Sequence, residues 1–319
     1  MVFCMVPWYI RRQGKIKANQ LLLLCLIVCS IWNSTQGKAH RLIPENTLDI
    51  GNQWEYQMHI TRWPGSGSVN WWGTATREII TNENVAGYDT VRSYAVITCP
   101  QTGTSWSTSN DYLTPEYVVE VRTENEGEIY TVRDNDPFEQ TPVWANESDN
   151  NRHVGHGKYL GQLKDPYFTW DGYQDSYITF LRTESITVPA GTFNCVVVFL
   201  REEFHDFAGI WGYDECTIWS NPLVGEIKCE EYFWMWDPFE LQAIVTEGVF
   251  ELTSTNVTYM QDFDEDFDVD SADLHIFTLA WLTENGDFGW NSDCDIYTDG
   301  FIDILDFAEF AKNWRADVK

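Results

Sequence analysis

Between about Leu42 and Tyr259, apolar and polar side chains alternate in short runs. Gln53-Trp54-Glu55-Tyr56-Gln57-Met58-His59-Ile60, Tyr117-Val118-Val119-Glu120-Val121, Glu128-Ile129-Tyr130-Thr131-Val132, Cys195-Val196-Val197-Val198-Phe199-Leu200 and Phe250-Glu251-Leu252-Thr253 are of this kind. Clusters of Gly, Asn, Asp and Pro separate them. A period of two punctuated by turn residues predicts β-strands. Many such strands in succession predict an antiparallel sheet, curved into a barrel or packed as a sandwich. The polar, turn-rich stretch from Asp134 to Asp165 reads as a long loop between strands. At Gln261 the period changes. Leu274, Phe277, Thr278 and Trp281 fall at i, i+3, i+4 and i+7, and Phe307, Phe310, Ala311 and Trp314 repeat the spacing. Each stripe predicts a short amphipathic helix. The chain therefore divides into a mainly β domain over residues 40–259 and a small α module over residues 260–319.

Charge sharpens the second region. The chain carries 49 acidic and 20 basic side chains, a formal net charge of −29. Such a surface repels phosphate backbones and argues against a nucleic-acid partner. From Asp262 onward the segment repeats itself at one fixed offset. Asp262, Asp266, Asp270 and Asp273 recur as Asp295, Asp299, Asp303 and Asp306, and Leu274, Phe277 and Trp281 recur as Phe307, Phe310 and Trp314. Calcium takes six to eight oxygens at about 2.3–2.6 Å, and a loop of about twelve residues supplies them from positions 1, 3, 5, 7, 9 and 12. In the first loop those positions are Asp262, Asp264, Asp266, Asp268, Asp270 and Asp273. In the second they are Asp295, Tyr297, Asp299, Phe301, Asp303 and Asp306, with Phe301 offering its backbone carbonyl. Position 8 is apolar in both, as Val269 and Ile302. Each loop departs from the pattern once. Phe267 stands where glycine is favoured, and Tyr297 replaces an oxygen ligand, whereas Gly300 and Asp264 fit. Two calcium ions of unequal affinity are expected. Without a cation, carboxylates packed so closely repel one another.

The motif Asp-x-Asp-x-Asp-x-x-Val-Asp-x-x-Asp-Leu, followed by Asp-x-Tyr-x-Asp-Gly-x-Ile-Asp-x-x-Asp-Phe, resembles a type I dockerin over Asp262 to about Trp314. Each loop lacks the entering helix of a full EF-hand, which is also dockerin-like. The resemblance implies docking onto a cohesin-like or cell-surface partner, through residues at loop positions 10 and 11. Here those are Ser271-Ala272 and Ile304-Leu305. The apolar second pair suits a docking patch or a core. Many proteins with such modules degrade polysaccharides.

The N-terminus reads as an export signal over residues 1–39. Arg11, Arg12, Lys15 and Lys17 precede the apolar run Leu21–Trp32, and Gly37-Lys38-Ala39 offers a small-x-small cleavage site. The run is short for a membrane span, which needs about 20 residues. A secreted or cell-surface location follows. Removal of the leader would leave Cys99, Cys195, Cys216, Cys229 and Cys294. Export permits disulfides. Cys216 and Cys229 are placed about equally either side of Asn221-Pro222, so they either face each other across a hairpin or stay as buried thiols.

The β-domain offers less. Gly51-Asn52-Gln53-Trp54-Glu55-Tyr56, Thr187 to Cys195 and Val224-Gly225-Glu226-Ile227-Lys228 resemble a family of secreted bacterial β-domains of unknown function. That resemblance implies a curved, lipocalin-like antiparallel sheet and supplies no catalytic residue. Glu202, Glu203, His205 and Asp206 form an acidic cluster around a His, read here as solvated strand-end residues. A glycosidase would need two carboxylates flanking the scissile bond. His153 and His156 are two imidazoles without a third ligand nearby in sequence. Trp71, Trp72, Trp106, Trp144, Trp170 and Trp211 could stack on a carbohydrate or fill a core, and a barrel cavity could take an apolar ligand. Two functions follow. One is a non-catalytic ligand-binding β-domain carried on a calcium-dependent docking tail. The other is a polysaccharide-degrading enzyme, a glycoside hydrolase, tethered by the same tail.

Overall fold

The computed structural model describes residues 39–44, 47–64, 68–114, 116–125, 128–132, 139–164, 167–206, 209–237, 242–257, 261–264, 269 and 271–312. The predicted leader therefore lies outside the described residues, apart from Ala39. Alternation appears as strands β1 (Ala39–Arg41), β2 (Gln53–Pro64), β3 (Val69–Val85), β4 (Tyr88–Cys99), β5 (Gly103–Leu113), β6 (Tyr117–Asn125), β7 (Glu128–Val132) and β8 (Glu139–Pro142). They continue as β9 (Trp144–Asn146), β10 (Arg152–Lys164), β11 (Tyr167–Val188), β12 (Gly191–Asp206), β13 (Trp211–Asn221), β14 (Gly225–Asp237) and β15 (Gln242–Thr255). Two helices follow, α1 (Ser271–Ala280) and α2 (Ile304–Lys312).

The strands form one large curled antiparallel sheet, and its pairings make a closed circuit. Each strand from β2 to β7 pairs with the next, β7 pairs with β10, β10 to β15 continue in order, and β15 returns to β2. β8 extends the same edge of β6 that β7 occupies further along, and β1 pairs with β9 separately. Of the two architectures open from sequence, this is the barrel. Closure removes the exposed sheet edge that would otherwise invite pairing with other chains. Inward positions recur every second residue. On β13 the alternating buried positions include Gly212, Asp214, Cys216, Ile218 and Ser220, and on β14 Ile227, Cys229, Glu231, Phe233 and Met235. The apolar core gathers Trp54, Met58 and Ile60 from β2, Val198 and Leu200 from β12, and Phe250 and Leu252 from β15.

The stretch from Asp134 to Asp165 is not a loop. Its described part holds β8, β9 and the long strand β10. Glycines suggested turns there, but in β10 they give clearance. A Cβ at Gly161 would run into the Trp170 ring, and one at its neighbour Gly172 on β11 would run into the Tyr159 ring.

Cys216 and Cys229 are not direct cross-strand partners but diagonal neighbours on the inner face, close enough for one thiol to hydrogen-bond the other. Asn221 accepts hydrogen bonds from the Leu223 and Val224 N–H groups, at 2.9 and 3.1 Å, and pairs with Gly225. That turn, with a bulge between Trp219 and Ser220, moves the register. Cys216 lies opposite Glu231, and Cys229 lies opposite Ile218. Both are buried, and no disulfide joins them.

Gly172→Ala should therefore overpack the interior against Tyr159. A loss of about 1–3 kcal/mol is expected. Urea unfolding should show it as a lower midpoint with unchanged slope.

Candidate functional sites: paired acidic loops and a buried acid layer

The tail brings its predicted ligands together where they are described. Carboxylate oxygens of Asp262, Asp264 and Asp273, at loop positions 1, 3 and 12, all lie within 4.8 Å of one another. Asp273 is fully buried at the start of α1, and its Oδ1 accepts the Phe263 N–H at 2.6 Å, drawing the loop back onto the helix. Asp266, Asp268 and Asp270 lie outside the described residues. In the second loop Asp306 repeats the role of Asp273. Its Oδ1 accepts from the Tyr297 N–H at 2.9 Å and its Oδ2 from the Asp303 N–H at 2.8 Å. Asp295 accepts from the Asp299 and Gly300 N–H groups, at 3.2 and 3.1 Å. Gly300 has φ +88°, the left-handed turn for which a glycine was expected at position 6. The Tyr297 and Phe301 side chains are exposed, so the phenol is not enclosed by the loop.

The two aromatic stripes pack on each other, as their spacing predicts. Phe277 lies 5.4 Å from Phe310 and 6.0 Å from Phe307, and Trp281 lies 6.1 Å from Phe307. Val269 and Ile302, the apolar residues at position 8, are both fully buried. Trp314 lies outside the described residues. Ser271 and Ala272 are exposed. Ile304 and Leu305 are 64% and 45% exposed, so this pair is surface rather than core.

In the sheet the largest departure from expectation is Glu202. It is buried and faces inward, not solvated at a strand end. It accepts from Gln174 Nε2 at 2.6 Å and from Ser176 Oγ at 3.1 Å. Asp214 pairs with it across the sheet, and Glu231 lies on the next strand, opposite Cys216. All three acids are buried. Burial, reinforced by the charges of Glu231 and Glu202, pushes the Asp214 carboxyl well above its usual range. Burial also pushes Glu226 up to about 8, against the opposing pull of Arg77. Asp111 is raised by burial too, with Arg77 and the Ser109 hydroxyl pulling the other way. Cys229 keeps a hydrogen bond from Cys216 that lowers its pKa, but burial and the charges of Glu226, Glu231 and Asp214 outweigh it and push the thiol up to about 12. Alternation along one strand puts Glu202 and Asp206 on the same face. Only cross-strand register reveals Asp214 and Glu231 as companions.

His153 and His156 do have a third group beside them. A bulge between His153 and Gly155 turns both imidazoles to the same side, where each lies 3.0 Å from Asp175 Oδ1 on β11. Among the tryptophans, Trp71 and Trp170 are buried, Trp106 and Trp144 are half-buried, and Trp72 and Trp211 are exposed. The ring of Trp72 is covered by His59 at 3.9 Å. Trp211 belongs to an outer ladder running from Tyr173 through His205 to Trp234, in which the rings pack against one another.

No protein-family model and no curated protein matches the chain. Two solved structures are loosely similar. One, a candidate lipoprotein from Parabacteroides distasonis, is 16% identical, covers 69% of this chain and 100% of its own, and superposes with TM-score 0.39. The other, a candidate exported protein with a YmcC-like fold from Bacteroides fragilis, is 12% identical, covers 68% and 99%, and gives 0.36. Likeness at this level carries no argument about function.

The raised Glu226 carboxyl has a consequence for stability. Between its ordinary 4.5 and about 8, the folded state holds a proton that the unfolded chain has released. Stability should thus be greatest below pH 4.5 for this group, fall as pH rises through that window, and level off above it. In Glu226→Gln this slope should flatten and the melting midpoint at alkaline pH should rise, as followed by circular dichroism across the window.

Proposed function

We propose that this is an exported protein in two working parts. Its C-terminal dockerin-like module binds calcium and docks the chain to a cohesin-like or other cell-surface partner, and its β-domain is a non-catalytic carrier of a ligand. One observation carries the docking half: the convergence of Asp262, Asp264 and Asp273 into the space of a single ion. A hard divalent cation coordinated by such oxygens would stabilise a module with a small core, built around Phe277, Ala280, Cys294, Ile302 and Phe310. The exposed Ile304-Leu305 pair on α2 supplies the apolar contact for a partner. The leader-like N-terminus supports export.

A tethered glycoside hydrolase would need two carboxylates open to a polymer, with a water or sugar carbon between them. Glu202 and Asp214 are neighbours, but both are buried inside the sheet. That favours carriage over hydrolysis.

The full secreted chain should be captured by immobilised cohesin domains when calcium is present and released by chelator. Asp273→Ala should lower calcium affinity and abolish capture. Ile304→Ser with Leu305→Ser should keep calcium binding, measured by calorimetry, yet lose capture. Capture that survives chelation, or a chain that gives no heat with calcium, would refute the docking role.

A further inference from the structure

The bulge in β10 gathers a set of side chains on the outside of the barrel. Val154 and Gly155 are both buried, so His153 and His156, three residues apart, share the outer face. A regular strand would put them on opposite faces. Asp175 on β11 lies directly opposite His156 and diagonally from His153, whose own partner is Tyr177. A single carboxylate oxygen, Asp175 Oδ1, is 3.0 Å from His153 Nε2 and 3.0 Å from His156 Nδ1. The rings of Tyr177 and Tyr173 pack beside the two imidazoles, at 5.2 and 5.9 Å. On β12, Glu203 lies directly opposite Asp175 and also faces outward. Like charges in directly opposed positions destabilise a sheet. The guanidinium of Arg201 beside them is divided between Glu203 and Glu215. The surroundings of the two imidazoles are therefore acidic.

Two imidazole nitrogens and a carboxylate oxygen are ligands suited to zinc and its transition-metal neighbours, whereas calcium takes oxygens. Zinc binds such atoms at about 2.0–2.2 Å, which sets neighbouring ligand atoms roughly 3–3.5 Å apart. Both His–Asp separations already fall in that range. The edge between the two imidazoles is wider, since among the described residues only the tail trio has all its ligand atoms within 4.8 Å of one another. That edge lies on the surface. The His153 and His156 side chains are 49% and 44% exposed, so rotation of the rings can close it without moving the sheet. In the metal-free state each of these nitrogens donates its N–H to Asp175. Around an ion the same nitrogens would offer lone pairs, each neutral ring carrying its proton on the other nitrogen.

We infer that His153, His156 and Asp175 form a transition-metal site of the zinc type on the outer face of the barrel, tying β10 to β11, with the charge of Glu203 alongside. The site shares no residue with the calcium loops and is independent of the docking and carrier roles.

Zinc should be titrated calorimetrically into the full chain with calcium already in excess, so that the acidic tail loops are filled. One zinc ion per chain is expected, with a rise in melting temperature. Cobalt(II) in its place should give visible d–d bands without the thiolate charge-transfer absorption that cysteine ligands would add. His153→Ala, His156→Ala and Asp175→Asn should each weaken zinc binding. Loss of a group that only orients a ligand costs about tenfold or more, so loss of a ligand should cost at least that. These side chains lie on the surface, so without zinc the variants should melt with the parent, and with zinc the parent alone should gain. His59→Ala, which removes an imidazole on β2, should leave zinc binding unchanged. No zinc uptake in excess calcium, uptake that survives the double change His153→Ala with His156→Ala, or a cobalt spectrum dominated by thiolate would each overturn the inference.

Discussion

Everything in the β-domain depends on closing the backbone hydrogen-bond ladder. Once β15 pairs with β2 and β7 with β10, no long edge remains, and each strand from β2 to β7 and from β10 to β15 has a neighbour on both sides. The price is an interior whose circumference is fixed by strand number rather than by side-chain volume. Aromatic rings take up part of that space. Tyr159 lies over Gly172 and Trp170 over Gly161, each large ring set against a residue with no side chain. Polar residues take up another part. The closed ladder thus creates the setting in which Glu202, Asp214 and Glu231 come to be buried together.

The chain meets the same electrostatic difficulty twice and resolves it in different ways. In the tail, carboxylates converge on a point and are tied to backbone N–H groups, as at Asp273, Asp295 and Asp306. Convergence is what a hard cation demands, because its ligands must sit at one short distance. In the sheet, the acids are fixed by strand register, so their spacing follows the pleat and not an ion's radius. Protonation relieves such a layer. Asp214 and Glu226 both have carboxyls held above their ordinary values by burial. The two resolutions have different costs. The tail ties its carboxylates to backbone N–H groups around a point, whereas in the sheet burial favours the neutral form of the acid.

Much of this was legible in the sequence, and the failures have particular causes. The β character, the barrel option, the change at Gln261 and the packing of the Phe277 and Phe307–Phe310 stripes all follow from periodicity. Periodicity sees one strand at a time, so it could not see which strands are neighbours. Glu202 looked solvated because its own strand is charged at Arg201 and Glu203, which do lie outward in an ion pair. The two thiols come together diagonally rather than directly opposite, because a register counted from the centre of Asn221-Pro222 is one step out. The Asn221 side chain and the bulge beside Trp219 move that centre, and a shift of this kind re-pairs the whole hairpin. The bulge at His153 acts in the same way, bringing to one face two imidazoles that a regular strand would separate.

The placement of Glu202 also bears on the choice between carrier and enzyme. A catalytic acid with a raised pKa is common, since burial keeps it protonated and ready to donate. Asp214 and Glu226 meet that electrostatic condition as well as any catalytic carboxyl would. They fail the geometric one. A polysaccharide must lie in a groove open at both ends with its scissile oxygen at the acid. Asp214 is instead enclosed between β12 and β14, with Phe204 and Phe233 stacked 5.9 Å apart beside it. A polymer cannot be threaded through such a place without opening the ladder that forms it. The feature that perturbs these carboxyls is therefore the one that excludes the substrate for which they would otherwise be suited.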